Sequence, residues 1–213
     1  MAKKKREHSI ELLTFKNALK NPPDLKGLWN EKIFKNDRPI ILELGCGKAD
    51  YTLALAKRFP NNNYIGVDRK GARLWRGART ALEENMTNVF FLLILIQEIN
   101  DYFEAGEVDG IWITFPDPYP KKRHEKHRLT SPLFLKRFQN ILKAGAPIRL
   151  KTDDPDLYAY SIEKVKESGG FIRRAIDDLY AQDNIDDLLS IKTYYEHKHL
   201  AIGRKIMYLE FNF

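Results

Sequence analysis

The feature that most narrows the possible folds is an uninterrupted apolar run, Val89-Phe90-Phe91-Leu92-Leu93-Ile94-Leu95-Ile96. Eight residues are too few to span a bilayer, and no polar residue alternates with them. The run therefore predicts a strand covered on both faces, as in a parallel sheet held between helices. Shorter runs of the same character occur at Ile40–Leu44, Tyr64–Asp68, Val108–Phe115 and Ala146–Thr152, with two later ones near Phe171–Ile176 and Ile206–Phe213. Between them lie stretches with apolar residues at helical spacing. Tyr51, Leu55 and Phe59 follow Asp50 as N-cap. Leu74, Ala78 and Ala81 form a second face. Leu135, Phe138 and Leu142 follow Ser131 and Pro132, and Tyr158, Ile162 and Val165 form a fourth. This alternation predicts an α/β fold with a mainly parallel sheet and helices on both faces. In such sheets ligands bind beyond the carboxyl ends of the strands, so a site is expected after Leu44, Val67, Phe115 and Thr152.

A chain of 213 residues has the length of one domain with an extension. We divide it into a basic, partly helical extension, residues 1–38, and a main domain, residues 39–213. Residues 1–6 read as a mobile tail that serves solubility or contacts RNA phosphates. Lys and Arg number 36 against 29 Asp and Glu, a net charge of +7, which favours a polyanionic partner. The single cysteine, Cys46, excludes an internal disulfide framework and fits a reducing compartment. The basic N-terminus has no apolar stretch after it, so a signal peptide is not expected. These features place the protein in the cytoplasm, without membrane attachment.

The first loop at the expected site is Glu43-Leu44-Gly45-Cys46-Gly47-Lys48-Ala49-Asp50. Its glycines permit a sharp turn and let a ligand approach bare backbone. A dinucleotide loop would place glycine where Asp50 stands, and a carboxylate there repels a pyrophosphate. The acid before the first glycine is equally wrong for an anion. S-adenosylmethionine, with a sulfonium and an ammonium and no phosphate, suits this loop. Asp68 ends the next strand, twenty-one residues past Gly47, where a carboxylate can accept from ribose hydroxyls. Cys46 reads as a small packing residue.

The second loop is Phe115-Pro116-Asp117-Pro118-Tyr119-Pro120, in which three prolines hold Asp117 on a stiff backbone. Lys121-Lys122-Arg123-His124-Glu125-Lys126-His127-Arg128 follows, with five cationic residues and one acid. Cations neutralise phosphates and aromatics such as Tyr119 stack on bases, so this block points to RNA, although a run of charge can also be a solvated face. His124 and His127 stand three apart, not four as on a zinc-protease helix, and no metal is expected.

Together these blocks resemble a known family. Glu43-Leu44-Gly45-Cys46-Gly47, Gly66-Val67-Asp68, the block from Phe115 to His124, Lys151-Thr152-Asp153 and Thr193-Tyr194-Tyr195-Glu196 look like the bacterial tRNA (guanine-N7-)-methyltransferases, over residues 39–210. The resemblance implies a class I S-adenosylmethionine-dependent methyltransferase fold, Rossmann-like, with a seven-stranded sheet. It implies methyl transfer to N7 of a guanosine in the tRNA variable loop, with S-adenosylhomocysteine as the other product. By the same resemblance Glu43, Gly45, Gly47, Asp68 and Asp117 would bind the cofactor, and Asp117 would be catalytic. Lys121, Asp153, Thr193, Tyr194, Tyr195 and Glu196 would contact the substrate. From the basic block itself, Lys122, Arg123, Lys126 and Arg128 are expected on tRNA phosphates.

Two residues depart from the family pattern: Ala49 stands where glycine is common, and Leu95 where an Asp or Asn would meet the adenine. Either backbone groups take over there, or Gln97 reaches the adenine, or cofactor affinity is lower. Thr193 to Glu196 also reads as a helix-opening capping box. The five Asp residues between Asp177 and Asp187 read as a solvated loop that avoids RNA. Competing readings are an exocyclic-amino methyltransferase, a non-catalytic RNA-binding module on the same fold and, more distantly, a nicotinamide oxidoreductase. Both monomer and homodimer are open.

Overall fold

In the computed structural model, which describes residues 2–213, the apolar runs become strands of a single sheet. The elements in chain order are α1 (Ala2–Leu12), β1 (Ala18–Lys20), β2 (Ile40–Leu44), α2 (Asp50–Arg58), β3 (Asn63–Asp68), α3 (Gly71–Glu83), β4 (Val89–Leu93), β5 (Gly110–Thr114), α4 (Pro132–Ile141), β6 (Ile148–Thr152), α5 (Pro155–Glu167), β7 (Phe171–Ile176), α6 (Asp187–Ser190), α7 (Tyr194–Ala201) and β8 (Met207–Asn212). The strand order is β1-β4-β3-β2-β5-β6-β8-β7. Strands β1 to β6 pair in parallel, and β8 runs antiparallel between β6 and β7. The sheet therefore has eight strands where seven were expected. The extra one is β1, whose Ala18, Leu19 and Lys20 pair with Phe91, Leu92 and Leu93.

Strand β4 stops at Leu93, short of the expected Ile96, because both neighbours give out there. Lys20 and Asp68 each pair with Leu93, and nothing lies beyond to receive Ile94 to Ile96. The chain turns instead into a 3-10 segment, Ile96–Asp101. The sheet separates two cores. One holds Leu42, Ile111 and Leu150 beneath Trp29, Phe138 of α4 and Val165 of α5. The other holds Phe91, Trp112 and Tyr208 beneath Leu12 of α1, Leu55 of α2 and Trp75 of α3. Burial on both faces is what the unbroken apolar runs required.

Three expectations give way. Residues 2–6 are not a mobile tail but the first turn of α1, which packs on α3 through a parallel stack of His8 on Trp75, ring centroids 3.7 Å apart; Met1 lies outside the described residues. Asp50 is the first residue of α2 rather than its cap; the cap position falls on Ala49, held at φ 62°. The acidic stretch is not a free loop. Leu179 and Leu189 anchor it in the core, Asp186 caps α6 by accepting from the Leu189 N–H, and Asp186 and Asp187 pair with Arg174 and Arg58, each at 2.6 Å. One buried leucine between the acids and one just after them decide its place.

Candidate functional site

The strand order reverses at β2: β3 and β4 are added on one side, β5 and β6 on the other, all parallel to it. The carboxyl ends at that point carry two adjoining cavities, of about 420 and 320 Å³. They share Gly45, Arg73, Phe115, Pro116 and Asp117 as a common wall. The smaller adds Asp68, Leu95 and Gln97. The larger adds Asp153, Thr193, Tyr194 and Tyr195.

The glycine loop turns by left-handed backbone at Gly45, Gly47 and Ala49, with φ of 76°, 59° and 62°. A Cβ at Gly45 or Gly47 would meet no atom within 4 Å, so these glycines are needed for their φ, and the space over them is free for a ligand. Gly77 of α3 answers a different need. A Cβ there would stand 2.6 Å from Cβ of Ala49 and 2.8 Å from the Lys48 carbonyl, so α3 can press against the loop only through glycine.

Asp68 holds the loop from the next strand. Its Oδ2 accepts from the Gly47 N–H at 2.9 Å and its Oδ1 from the Lys70 N–H at 2.8 Å. Each oxygen accepts one such bond and has capacity for another, and the residue lines the smaller cavity, which suits a vicinal diol. Glu43 is almost wholly buried. Its Oε2 accepts from the N–H and hydroxyl of Thr52, and its Oε1 from the Thr114 hydroxyl at 2.6 Å. Burial pushes its carboxyl up from 4.5 to about 7, against the lowering effect of the threonine hydrogen bonds. Glu43 thus ties β2 to α2 and β5, and it also lines the larger cavity.

Asp117 is exposed at the common wall. The loop carrying it is bracketed by two aromatic residues in left-handed conformation, Phe115 at φ 48° and Tyr119 at φ 45°, which side chains adopt only under constraint. The constraint is visible. The Phe115 N–H donates to the Lys151 carbonyl at 2.8 Å, and Arg128 donates from Nε to the Pro118 carbonyl at 2.9 Å and from a terminal nitrogen to the Tyr119 carbonyl at 3.2 Å. Arg128 also lies over the Tyr160 ring at 4.3 Å. Its guanidinium is thus engaged with the loop and the Tyr160 ring, where it braces the loop. Lys121, Lys122, Arg123 and Lys126 are exposed, and none is within ion-pair distance of an acid among the described residues.

The late segment is placed by a buried hub. Lys151, fully buried on β6, donates to the carbonyls of Leu189 and Ile191, each at 2.9 Å, and to Oε1 of Glu196 at 3.1 Å. Glu196 also accepts from the Tyr180 hydroxyl at 2.6 Å and the Thr193 N–H at 3.0 Å, and the Glu196 N–H donates to the Thr193 hydroxyl. The capping box is present. Glu196 has no solvent exposure, so it cannot reach a substrate from this position; it presents its neighbours. Tyr194 and Tyr195 stand more than half exposed over the larger cavity. Asp153 lines that cavity too, where the Arg204 guanidinium and Nδ1 of His199, at 3.1 Å, meet its carboxylate.

Sequence reading missed Arg73, Thr52, Thr114 and Gly77, and quoted Lys151 within Lys151-Thr152-Asp153 without giving it a role. The first four lie in no quoted motif, save that Thr114 directly precedes the Phe115 loop, and all five roles follow from strand register and helix packing. Among the described residues no group of three or more His, Cys, Asp or Glu is placed to hold a metal ion, and no helix is long and apolar enough to cross a membrane.

A mainly parallel sheet with a glycine loop after β2, an acid ending β3 and a second acid after β5 defines the methyltransferase class. A family model described as "Putative methyltransferase" matches residues 37–209. The chain is 46% identical to a tRNA (guanine-N(7)-)-methyltransferase from Christiangramia forsetii, over 88% of this chain and 84% of that one. It is 45% identical to a protein of the same description from Bacteroides fragilis, over 92% and 77%. Among solved structures it resembles a variant of the 16S rRNA (adenine(1408)-N(1))-methyltransferase of Catenulisporales acidiphilia, determined with its cosubstrate SAM. That match has TM-score 0.62 and 16% identity, and covers 89% of this chain and 92% of the other; at that identity the likeness is one of fold. The chain belongs to the tRNA (guanine-N(7)-)-methyltransferase family.

Proposed function

We propose that the protein methylates N7 of a guanosine in the variable loop of tRNA, using S-adenosylmethionine. One observation carries the reading: Asp117, on a proline-stiffened loop, stands in the wall common to a cavity with a diol-accepting Asp68 and a cavity roofed by Tyr194 and Tyr195. The smaller cavity suits the adenosine end of the cofactor, with Asp68 on the ribose, Leu95 as an apolar wall and Gln97 beside it. The larger suits the guanine.

Bound S-adenosylmethionine supplies an electrophilic methyl group on a sulfonium. N7 offers an in-plane lone pair and carries no proton at neutral pH. The S–CH3 bond breaks as the N7–CH3 bond forms, the sulfur keeps the electron pair, and no general base is required. The protein's work is therefore alignment and charge. Asp117 accepts from guanine N–H groups, sets the ring in line with the methyl group and stabilises the positive charge that moves onto the ring. Tyr194 and Tyr195 stack on the base, and Asp153 and Lys121 flank it. Lys122, Arg123 and Lys126 meet phosphates; each such contact accounts for about 0.7–0.9 of the salt slope. The test is incubation with S-adenosylmethionine and an unmodified tRNA transcript, then nucleoside analysis by mass spectrometry. N7-methylguanosine is expected; its absence from folded protein and intact tRNA overturns the reading.

A further inference from the structure

The basic block at 121–128 is not the only unpaired positive surface. Helix α1 packs along α3, His8 on Trp75 and Ser9 beside Gly71, with Lys4 and Lys5 one turn before that contact. Arg69, just before α3, and Arg73 and Arg76 of α3 are exposed, at spacings of four and three residues. Lys4, Lys5, Lys48, Arg69, Arg73 and Arg76 are all exposed, and none has an acid within ion-pair distance among the described residues. Cations nearby behave differently: Arg79 is held by Glu83 at 2.8 Å and Lys57 by Glu84 at 2.7 Å.

This face runs into the site. A shallow groove of about 470 Å³ is lined by His8, Lys48, Trp75, Arg76 and Tyr194, with Asp50 as its one acid. Tyr194 also lines the larger cavity and Arg73 lines both cavities. Cations left unpaired in a row, leading out of a cavity proposed to hold a nucleobase, are what an entering polyphosphate backbone requires.

We propose that the face formed by α1 and α3 is a second RNA-backbone track, engaging phosphates that flank the target guanosine without regard to base sequence. The proposal rests on the RNA reading above and gives the N-terminal extension a role. The groove and Tyr194 set where the backbone leaves the site, and Lys4, Lys5 and Arg76 continue its path.

The test measures tRNA affinity by filter binding against salt, alongside N7-methylation of the same tRNA. The variants are Lys4→Gln with Arg76→Gln, and a control pair on the opposite helical layer, Lys136→Gln with Lys166→Gln. Affinity for S-adenosylmethionine and the unfolding midpoint check that each variant is intact. The slope of log affinity against log salt should fall by about 1.4–1.8 in the first pair and stay unchanged in the control. An unchanged slope in the first pair, or an equal fall in both, overturns the track. Tight binding without methylation by the unaltered protein overturns the proposed reaction while the slopes still decide the track.

Discussion

Nζ of Lys151 lies 3.1 Å from Oε1 of Glu196, and both side chains are wholly removed from solvent. The pair joins β6 to the start of α7 and so decides where Tyr194 and Tyr195 stand. Burial lowers the lysine pKa, and Glu196 opposes that shift. Removing one partner strands the other charge. Lys151→Met should cost about 3–5 kcal/mol, and adding Glu196→Gln should recover part of it, because the buried carboxylate is then neutral. Urea unfolding of the single and double variants checks both the sign and the recovery.

Asp117→Asn should lower turnover by about two to three orders of magnitude, the usual cost of losing a group aimed at developing charge. Cofactor affinity should change only a few-fold, because Asp68 and the glycine loop are untouched. Single-turnover kinetics and calorimetric titration separate the two quantities. Turnover like that of the unaltered protein would remove Asp117 from the reaction.

Arg128→Lys should behave unlike its basic neighbours. Lysine cannot bridge the Pro118 and Tyr119 carbonyls as the guanidinium does, so the loop loosens and kcat falls. The salt slope of tRNA binding should not move. Lys122→Gln should do the reverse, with kcat kept and the slope reduced by about 0.7–0.9.

Glu43 should leave a mark on stability against pH. Its folded pKa, about 7, lies above its ordinary 4.5, so the folded state holds a proton that the unfolded state releases. Its contribution is complete below about pH 4.5 and is lost as the pH rises through 7. The loss is on the order of 3 kcal/mol. Glu43→Gln, which cannot titrate, should flatten the difference between unfolding free energies measured at pH 5 and pH 8.

Gly77→Ala should weaken cofactor binding from a position outside the cavities. The new methyl group meets Ala49 and the Lys48 carbonyl, and the loop must move. Ala49→Gly in the same chain removes the contact with Cβ of Ala49 but not the one with the carbonyl. Cofactor affinity should therefore return only partly.

Much of this was legible in the sequence because it depends on local pattern. Unbroken apolar runs mean strands buried on both faces, and Gly45, Gly47 and the three prolines around Asp117 announce special backbone wherever they occur. What could not be read depends on distant partners. The chemistry of Glu196 is that of a substrate contact until Lys151, forty-five residues away, takes it. Arg128 is one cation in a cluster until the loop folds back onto it. Strand β1 has three residues, too few for any periodicity, and exists because β4 offers it an edge. The acids of 177–187 suggested solvent, yet Leu179 within that stretch and Leu189 two residues beyond it outweigh them.

The two cavities have a wall in common, and this ties their equilibria together. Gly45, Arg73, Phe115, Pro116 and Asp117 line both, so any shift one occupant causes in them is met by the other. By thermodynamic reciprocity, whatever factor the methyl donor imposes on RNA affinity, RNA imposes on donor affinity. In the reaction proposed above the donor loses its sulfonium charge and the guanine gains a positive charge, so a carboxylate at Asp117 would attract the methylated base more strongly than the unmethylated one.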